Sequence, residues 1–265
     1  MIKVADYEEV TVIKMGRTIA GKLLYPVHSF FWKGILVDTG CYSCRREFSK
    51  AIQEFPVSKV LLTHAHEDHF GNVWYFNRQQ IPVLSDKKAI PYIEDPRRLG
   101  MELYREITWG TPPAGEAQEL LPEIKLGNLT LQVVATPGHS PDHVVFFEPT
   151  REYLFTGDLF LGTRQRLFMR QEKFWESLNS LKSALALKPR VLFCGLNGVI
   201  LGGQQKLAEK ISFWEDLAAK VLALYEKGVT PREITQKLFP GKNLLAVLTG
   251  GSFSSLNLVK SILDR

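Results

Sequence analysis

The sequence predicts an α/β fold, and three observations carry that prediction. The first third of the chain consists of β-rich runs, "EEVTVIKMG", "KLLYPVHSFFW" and "KGILVDTG", punctuated by Gly and Lys. A second strand-rich stretch, "NLTLQVVATPGHS", "DHVVFFEP" and "EYLFTGDLF", follows after helical patterns. From Gln204 to the end the pattern is helical. The expected organisation is a core over residues 1–203 with a helical extension over 204–265 packed on it.

The three early runs are expected as consecutive antiparallel strands. In "SCRREFSKAIQEF" the residues Phe48, Ile52 and Phe55 recur at helical spacing, and Pro56 stops the helix. "SKVLLTH" is a short apolar run ending in polar residues, as expected of a strand buried on both faces that runs into a loop. A helix is expected from about Asp68 through Asn77, then a short strand in "IPVLSD". Residues 91–115, rich in Pro, Gly and aromatics with a helical patch in the middle, predict a surface excursion placed like a lid. Beyond the second strand-rich stretch, "EKFWESLNSLKSALAL" predicts a helix leading into the strand "RVLFCG". "KLAEKISFWEDLAAKVLALYEKG" is long and amphipathic, "TPREITQKLF" opens with Thr230 as N-cap and Pro231 at the first helical position, and "SFSSLNLVKSILDR" closes the chain. Two strand-rich stretches with helices between them hint at a duplicated half.

Composition narrows the function classes. The 265 residues suffice for a buried core, and 45% apolar with 23% charged residues is ordinary for a globular protein. No apolar run approaches the length of a membrane span, and "MIKVADYEEV" carries acids where a signal peptide needs an apolar stretch. A cytoplasmic protein with no membrane partner is expected. The net charge of +5 favours an anionic small-molecule substrate, and without a block of consecutive basic residues RNA is not the favoured partner. Three cysteines argue against a disulfide framework, and the Cys41-x-x-Cys44 pair is expected to pack rather than to work as a redox couple.

The chemistry concentrates in "LLTHAHEDHFGN", which holds three of the six histidines. His64 and His66, two apart at a strand end, present both rings on one side and can share one ion. Asp68 and His69 follow a turn and suit a second ion beside the first. Two other strand ends supply partners: His139 in "ATPGHS" and Asp158 in "YLFTGDLF". The expected set is His64, His66 and His139 on a first ion, with Asp158 bridging to a second held by Asp68 and His69. Imidazole and carboxylate donors suit Zn, Fe or Mn. His28 is expected as a surface or hydrogen-bonded core residue, His143 in a supporting or packing role, and Glu67 facing water.

These residues resemble the metallo-β-lactamase fold superfamily: "HAHEDH" as its H-x-H-x-D-H motif, "PGHS" as the next histidine motif, "TGD" as the bridging aspartate, and "ILVDTG" as the early strand-turn with a structural Asp38. The order agrees from about Ile35 to Gly198. The resemblance implies a four-layer αβ/βα sandwich with a metal site along one edge, and it implies His64, His66, Asp68, His69, His139 and Asp158 as ligands. The family closes its site with one more histidine in a G-H-G-like turn. Here the turn is "GLNG", and Asn197 is expected in the histidine's place as a weaker second-site ligand. Zinc is expected firmly at the first site, with the second ion (Zn, Fe or Mn) weak or absent.

The expected activity is that of a metal-dependent hydrolase of an ester, thioester, lactone or phosphodiester, with Asp68 as general base if the second site is empty. The core is similar to glyoxalase II-like and ribonuclease-like members, some of which carry a small helical appendage. Exported β-lactamase activity is not expected. Two alternatives from other classes are a mononuclear iron oxygenase of the persulfide dioxygenase type and a degenerate, non-catalytic metal-binding member. Candidate substrate walls are Tyr104, Trp109, Phe160 and Phe168, and candidate anion contacts are Arg164 and Arg166.

Overall fold

The computed structural model describes residues 1–19, 22–241 and 244–264. Its first sheet has seven strands whose spatial order equals their order in the chain: Ile2–Tyr7, Val10–Ile19, Lys22–Trp32, Ile35–Val37, Lys59–Leu61, Val83–Ser85 and Gln118–Glu119. The first four pair antiparallel. The remaining pairings are parallel, because helices and loops return the chain to the same edge each time. The second sheet runs Gly198–Leu201, Val191–Cys194, Tyr153–Gly157, Val144–Glu148, Leu129–Ala135 and Glu123–Leu126. Its parallel pair, Tyr153–Gly157 with Val191–Cys194, is bridged by the helix Phe174–Ala186.

Side-chain alternation along the strands makes the layers. Leu36, Val60 and Leu62 pack to one side of the first sheet, with Phe48, Phe76 and Ile93 from its helices. Ile35, Val37 and Leu61 point the other way and meet Tyr153, Phe155, Val191 and Phe193 of the second sheet. Phe30 seals the two sheets, with ring centroids 5.4 Å from Phe193 and 5.8 Å from Phe155. On the far side of the second sheet Leu154 and Leu192 join Leu178, Leu207, Trp214, Ile234 and Leu258. Three apolar cores between four layers give the αβ/βα sandwich. The C-terminal helices Gly203–Tyr225, Pro231–Leu238 and Ser255–Leu263 belong to its outer layer. Thr230 and Glu233 cap the middle one reciprocally.

One strand goes beyond the sequence reading and one helix departs from it. The strand Ile2–Tyr7 lies at a sheet edge with four exposed residues in its centre, so it lacks the alternation by which strands are recognised. The helix expected from Asp68 spans Val73–Arg78 instead. Residues before it turn tightly, with the His69 N–H donating to the His66 carbonyl at 2.9 Å, and then dock on the first sheet's loop. That docking needs Gly71, whose absent Cβ would lie 2.4 Å from the Tyr42 nitrogen. The excursion over 91–115 carries its expected helical patch as the helix Leu103–Trp109.

Candidate metal centre

The strand Lys59–Leu61 ends just before His64, and the ends of Leu129–Ala135 and Tyr153–Gly157 arrive beside it with His139 and Asp158. His64 Nε2 lies 3.0 Å from His66 Nδ1, and His139 Nε2 lies 3.0 Å from the same His66 nitrogen. Nitrogens sharing a tetrahedral ion at Zn–N lengths would stand about 3.3 Å apart, close to this spacing. Burial first, then the neighbouring imidazoles, hold His64 and His66 well below the ordinary histidine range. Both rings are therefore neutral and present lone pairs, which is the state a metal binds.

A second set adjoins the first. His69 Nε2 lies 3.3 Å from Asp158 Oδ1 and 3.8 Å from Asp68 Oδ2. Donor atoms of His64, His69 and Asp158 fall within 4.8 Å of one another, as do those of His64, His66 and His139. His69 Nε2 and Asp158 Oδ1 are buried with no hydrogen-bond partner among the described residues. Such groups are costly unless something satisfies them, and a cation between them would do so. The donor set thus fits one or two divalent ions.

Each ligand is held by a neighbour. Asp38, with φ +59° in a left-handed turn, accepts from His69 Nδ1 at 2.8 Å and from the Thr63 backbone N–H at 2.8 Å. This fixes the His69 tautomer with Nε2 free. Asp142 accepts from the Ala65 N–H at 2.7 Å, bracing the H-x-H turn. His143 Nε2 accepts from the Asp158 N–H at 3.1 Å, and Thr136 Oγ1 lies 2.8 Å from its Nδ1. Glu172, buried, stands 3.7 Å from His139 Nδ1. His28 Nδ1 is 3.1 Å from the Gly195 carbonyl oxygen. Gly195 itself passes so close that a Cβ would meet His69 Cε1 at 2.7 Å and Asp158 Oδ1 at 2.8 Å.

Electrostatics separates the two carboxylates. Burial raises Asp68 to about 7. Burial also works against the Asp158 charge, but His69 and His139 outweigh it and hold Asp158 at about 2.

The ligand atoms form the floor of a cavity of about 110 Å³ walled by Tyr25, Tyr104, Thr108, Trp109, Leu161, Met169, Leu196, Leu245, Thr249 and Phe253. Tyr104 and Trp109 line it as expected. Phe160 and Phe168 do not: both are buried in the outer core, Phe160 beneath the Lys210 ammonium and Phe168 against Trp214. Arg164 and Arg166 are exposed outside the lining. Glu67 faces no water. It is fully buried and takes a bidentate pair from Arg105, Nε to Oε1 at 2.8 Å and Nη2 to Oε2 at 2.5 Å. This pair ties the helix Leu103–Trp109 to the ligand turn.

Asn197 is also corrected. It is exposed, its amide Nδ2 lies 3.8 Å from Cys194 Sγ, and it takes no part in the lining. Leu196, one residue earlier, occupies the cavity wall beside Asp68 and Asp158. The pairing of Cys194 with Gly198 leaves three residues in the turn, and it is Leu196 that reaches inward. An apolar side chain stands where one more donor would approach. Cys41, Cys44 and Cys194 are buried free thiols.

Comparison with known proteins agrees with this geometry. The family model described as "Metallo-beta-lactamase superfamily" matches residues 33–196. "Probable metallo-hydrolase YybB" of Bacillus subtilis is 33% identical over 165 residues, 59% of this chain and 72% of that protein. "Atrochrysone carboxyl ACP thioesterase" of Aspergillus fumigatus is 32% identical over 67% of this chain, which spans 51% of that protein's length. Among solved structures, a β-lactamase domain protein from Burkholderia ambifaria superposes with TM-score 0.75 at 18% identity, covering 98% of this chain and 87% of its own. A metallo-β-lactamase family protein from Thermus thermophilus gives TM-score 0.69 at 20% identity, over 97% of this chain and 91% of its own.

Proposed function

This chain belongs to the metallo-β-lactamase superfamily, and from that premise we propose that it is a metal-dependent hydrolase of esters or thioesters with an apolar acyl group. One observation carries the reading: the ligands His66, Asp68, His139 and Asp158 open onto a cavity whose accessible surface is mainly apolar and aromatic. His64, His66 and His139 would hold a divalent ion, zinc by the chemistry of three imidazoles, and the ion would supply Lewis acidity toward water and a carbonyl oxygen. Asp68, with its ionisation near neutrality, accepts a proton at its carboxylate and returns it to the leaving group. Leu161, Met169, Leu196 and Trp109 enclose the acyl chain and exclude water. The cavity's one guanidinium, Arg105, is already engaged by Glu67. The floor therefore favours an uncharged acyl group, and any anionic part of the substrate is placed outside it.

The relatives whose names include thioesterase support the thioester side of this reading. An iron oxygenase with two histidines and one aspartate would leave Asp68 and His69 without a task. Here both are buried, and His69 is held by Asp38. The test is turnover of a panel containing acyl thioesters, p-nitrophenyl esters, a lactone and bis(p-nitrophenyl) phosphate by metal-loaded protein. Rates on the acyl substrates are expected to exceed the phosphodiester rate by about 100-fold or more, the discrimination a shaped site can give. Preference for the phosphodiester would overturn the reading.

A further inference from the structure

Twelve large hydrophobic residues are exposed among the described residues, and six of them lie on three elements that line the cavity. Tyr25, Leu103, Ile107, Leu244, Val247 and Leu248 are between 47% and 74% exposed. Tyr25 lies on the strand Lys22–Trp32 and itself lines the cavity, and the other five lie on the two short helices, Leu103–Trp109 and Leu244–Leu248, whose neighbouring residues line it. Tyr104, Arg105 and Leu245 turn inward from the same helices that turn Leu103, Ile107 and Val247 to solvent. Exposed apolar side chains gathered on the elements around one cavity mark a binding surface.

The charges beside the rim indicate what it meets. The Arg17 guanidinium donates to the Ile107 carbonyl, and the Arg170 Nη2 donates to the Gly250 carbonyl at 3.2 Å. Both arginines are exposed, and neither has a carboxylate within salt-bridge distance among the described residues. Glu102 and Asp95 are paired with Arg105 and with Arg97 and Arg98, which leaves Glu106 as the exposed acid on the rim helix. Apolar side chains pointing outward with unpaired cations at their flanks match an anionic lipid surface.

We propose that the mouth of the cavity docks on an anionic bilayer surface, so that a lipophilic acyl substrate enters from the lipid phase. No helix of the described residues is long and apolar enough to cross a membrane, so the attachment is interfacial. A search for apolar runs does not reveal this face, because it is assembled from two helices far apart in the chain, Leu103–Trp109 and Leu244–Leu248. The route proposed for the substrate rests on the acyl-hydrolase reading, whereas docking itself is measured without turnover.

The experiment is co-sedimentation of the metal-loaded full chain with vesicles of phosphatidylcholine alone and of phosphatidylcholine with phosphatidylglycerol. Binding to the mixed vesicles that weakens with salt is expected, with little binding to phosphatidylcholine alone. The double variant Val247→Ser, Leu248→Ser should lose about tenfold or more in vesicle affinity, since interfacial binding scales with buried apolar area. Arg17→Gln with Arg170→Gln should reduce the preference for the anionic vesicles. Unchanged metal content and circular dichroism would show that each variant is folded. Absence of binding to either vesicle, or binding indifferent to both double variants, would overturn the proposal. So would a wild-type dimer in light scattering that the Val247 and Leu248 substitutions dissociate, because the rim would then be a protein interface. Loss of hydrolysis with vesicle binding intact would count against the acyl-hydrolase reading alone.

Discussion

Replacing Arg105 by Met isolates the clamp between the lid helix and the ligand turn. The Arg105 side chain is 7% exposed and Glu67 is 0% exposed, so substitution leaves a carboxylate buried without its bidentate partner. Breaking a buried pair from one side costs about 3–5 kcal/mol. With an unfolding entropy scaled to the 265 residues, that corresponds to a Tm roughly 5–10 °C lower. The double variant Glu67→Leu, Arg105→Met removes both charges together and should recover most of the loss, since uncharged pairs of similar volume are tolerated in such sites. Differential scanning calorimetry of the four proteins closes the cycle. A single-variant loss below about 1 kcal/mol, the range of exposed pairs, would refute the reasoning. A double variant no more stable than Arg105→Met would do the same.

Four further outcomes are expected from the site and its surroundings. Asp38→Asn should weaken metal affinity by roughly 10–100-fold, measured by chelator competition, because Asp38 orients His69 directly and His64 through the Thr63 hydroxyl, which lies 3.0 Å from His64 Nδ1. Leu196→His should raise bound metal per chain by elemental analysis, whereas Asn197→His, on the exposed side of the turn, should leave it unchanged. Lys210, whose Nζ donates to the Leu159 carbonyl at 2.9 Å and to Gln165 Oε1 at 2.8 Å, is held down to about 7 by burial. The unfolded chain binds this proton up to about pH 10, so Lys210 makes stability rise from about pH 7 to pH 10. Lys210→Met should remove that rise, up to about 4 kcal/mol, in urea titrations across the window; an identical slope in both proteins would contradict it. Trp109→Ala should raise KM for long acyl thioesters more than for short ones.

The parts of this molecule legible in the sequence are those written locally. The β-rich runs "KLLYPVHSFFW" and "RVLFCG" correspond to observed strands that pack apolar side chains on both faces, and the helical spacing in "EKFWESLNSLKSALAL" corresponds to a helix that buries one face. The ligands His64, His66, His139 and Asp158 stand at strand ends, where apolar runs stop, and the two sheets bring those ends together. Partnerships across the chain were not legible. Glu67 gave no sign of its mate because Arg105 lies 38 residues on, and the helical patch that holds it does not show which way its side chain turns. Phe160 and Phe168 share an aromatic composition with the true walls, and packing alone distinguishes core from cavity. In "GLNG" a shift of one residue turns a side chain from solvent to the site, which is why Leu196, not Asn197, faces the metal centre.

The central claim is that one metal centre at the cavity floor drives acyl hydrolysis. Its most direct test is a titration of chelator-stripped protein with zinc, following bound metal and acyl-thioester turnover in the same samples. Turnover that is absent without metal and saturates near one ion per chain is the predicted result. Hydrolysis that persists in the stripped protein, or none at any metal loading, would contradict it.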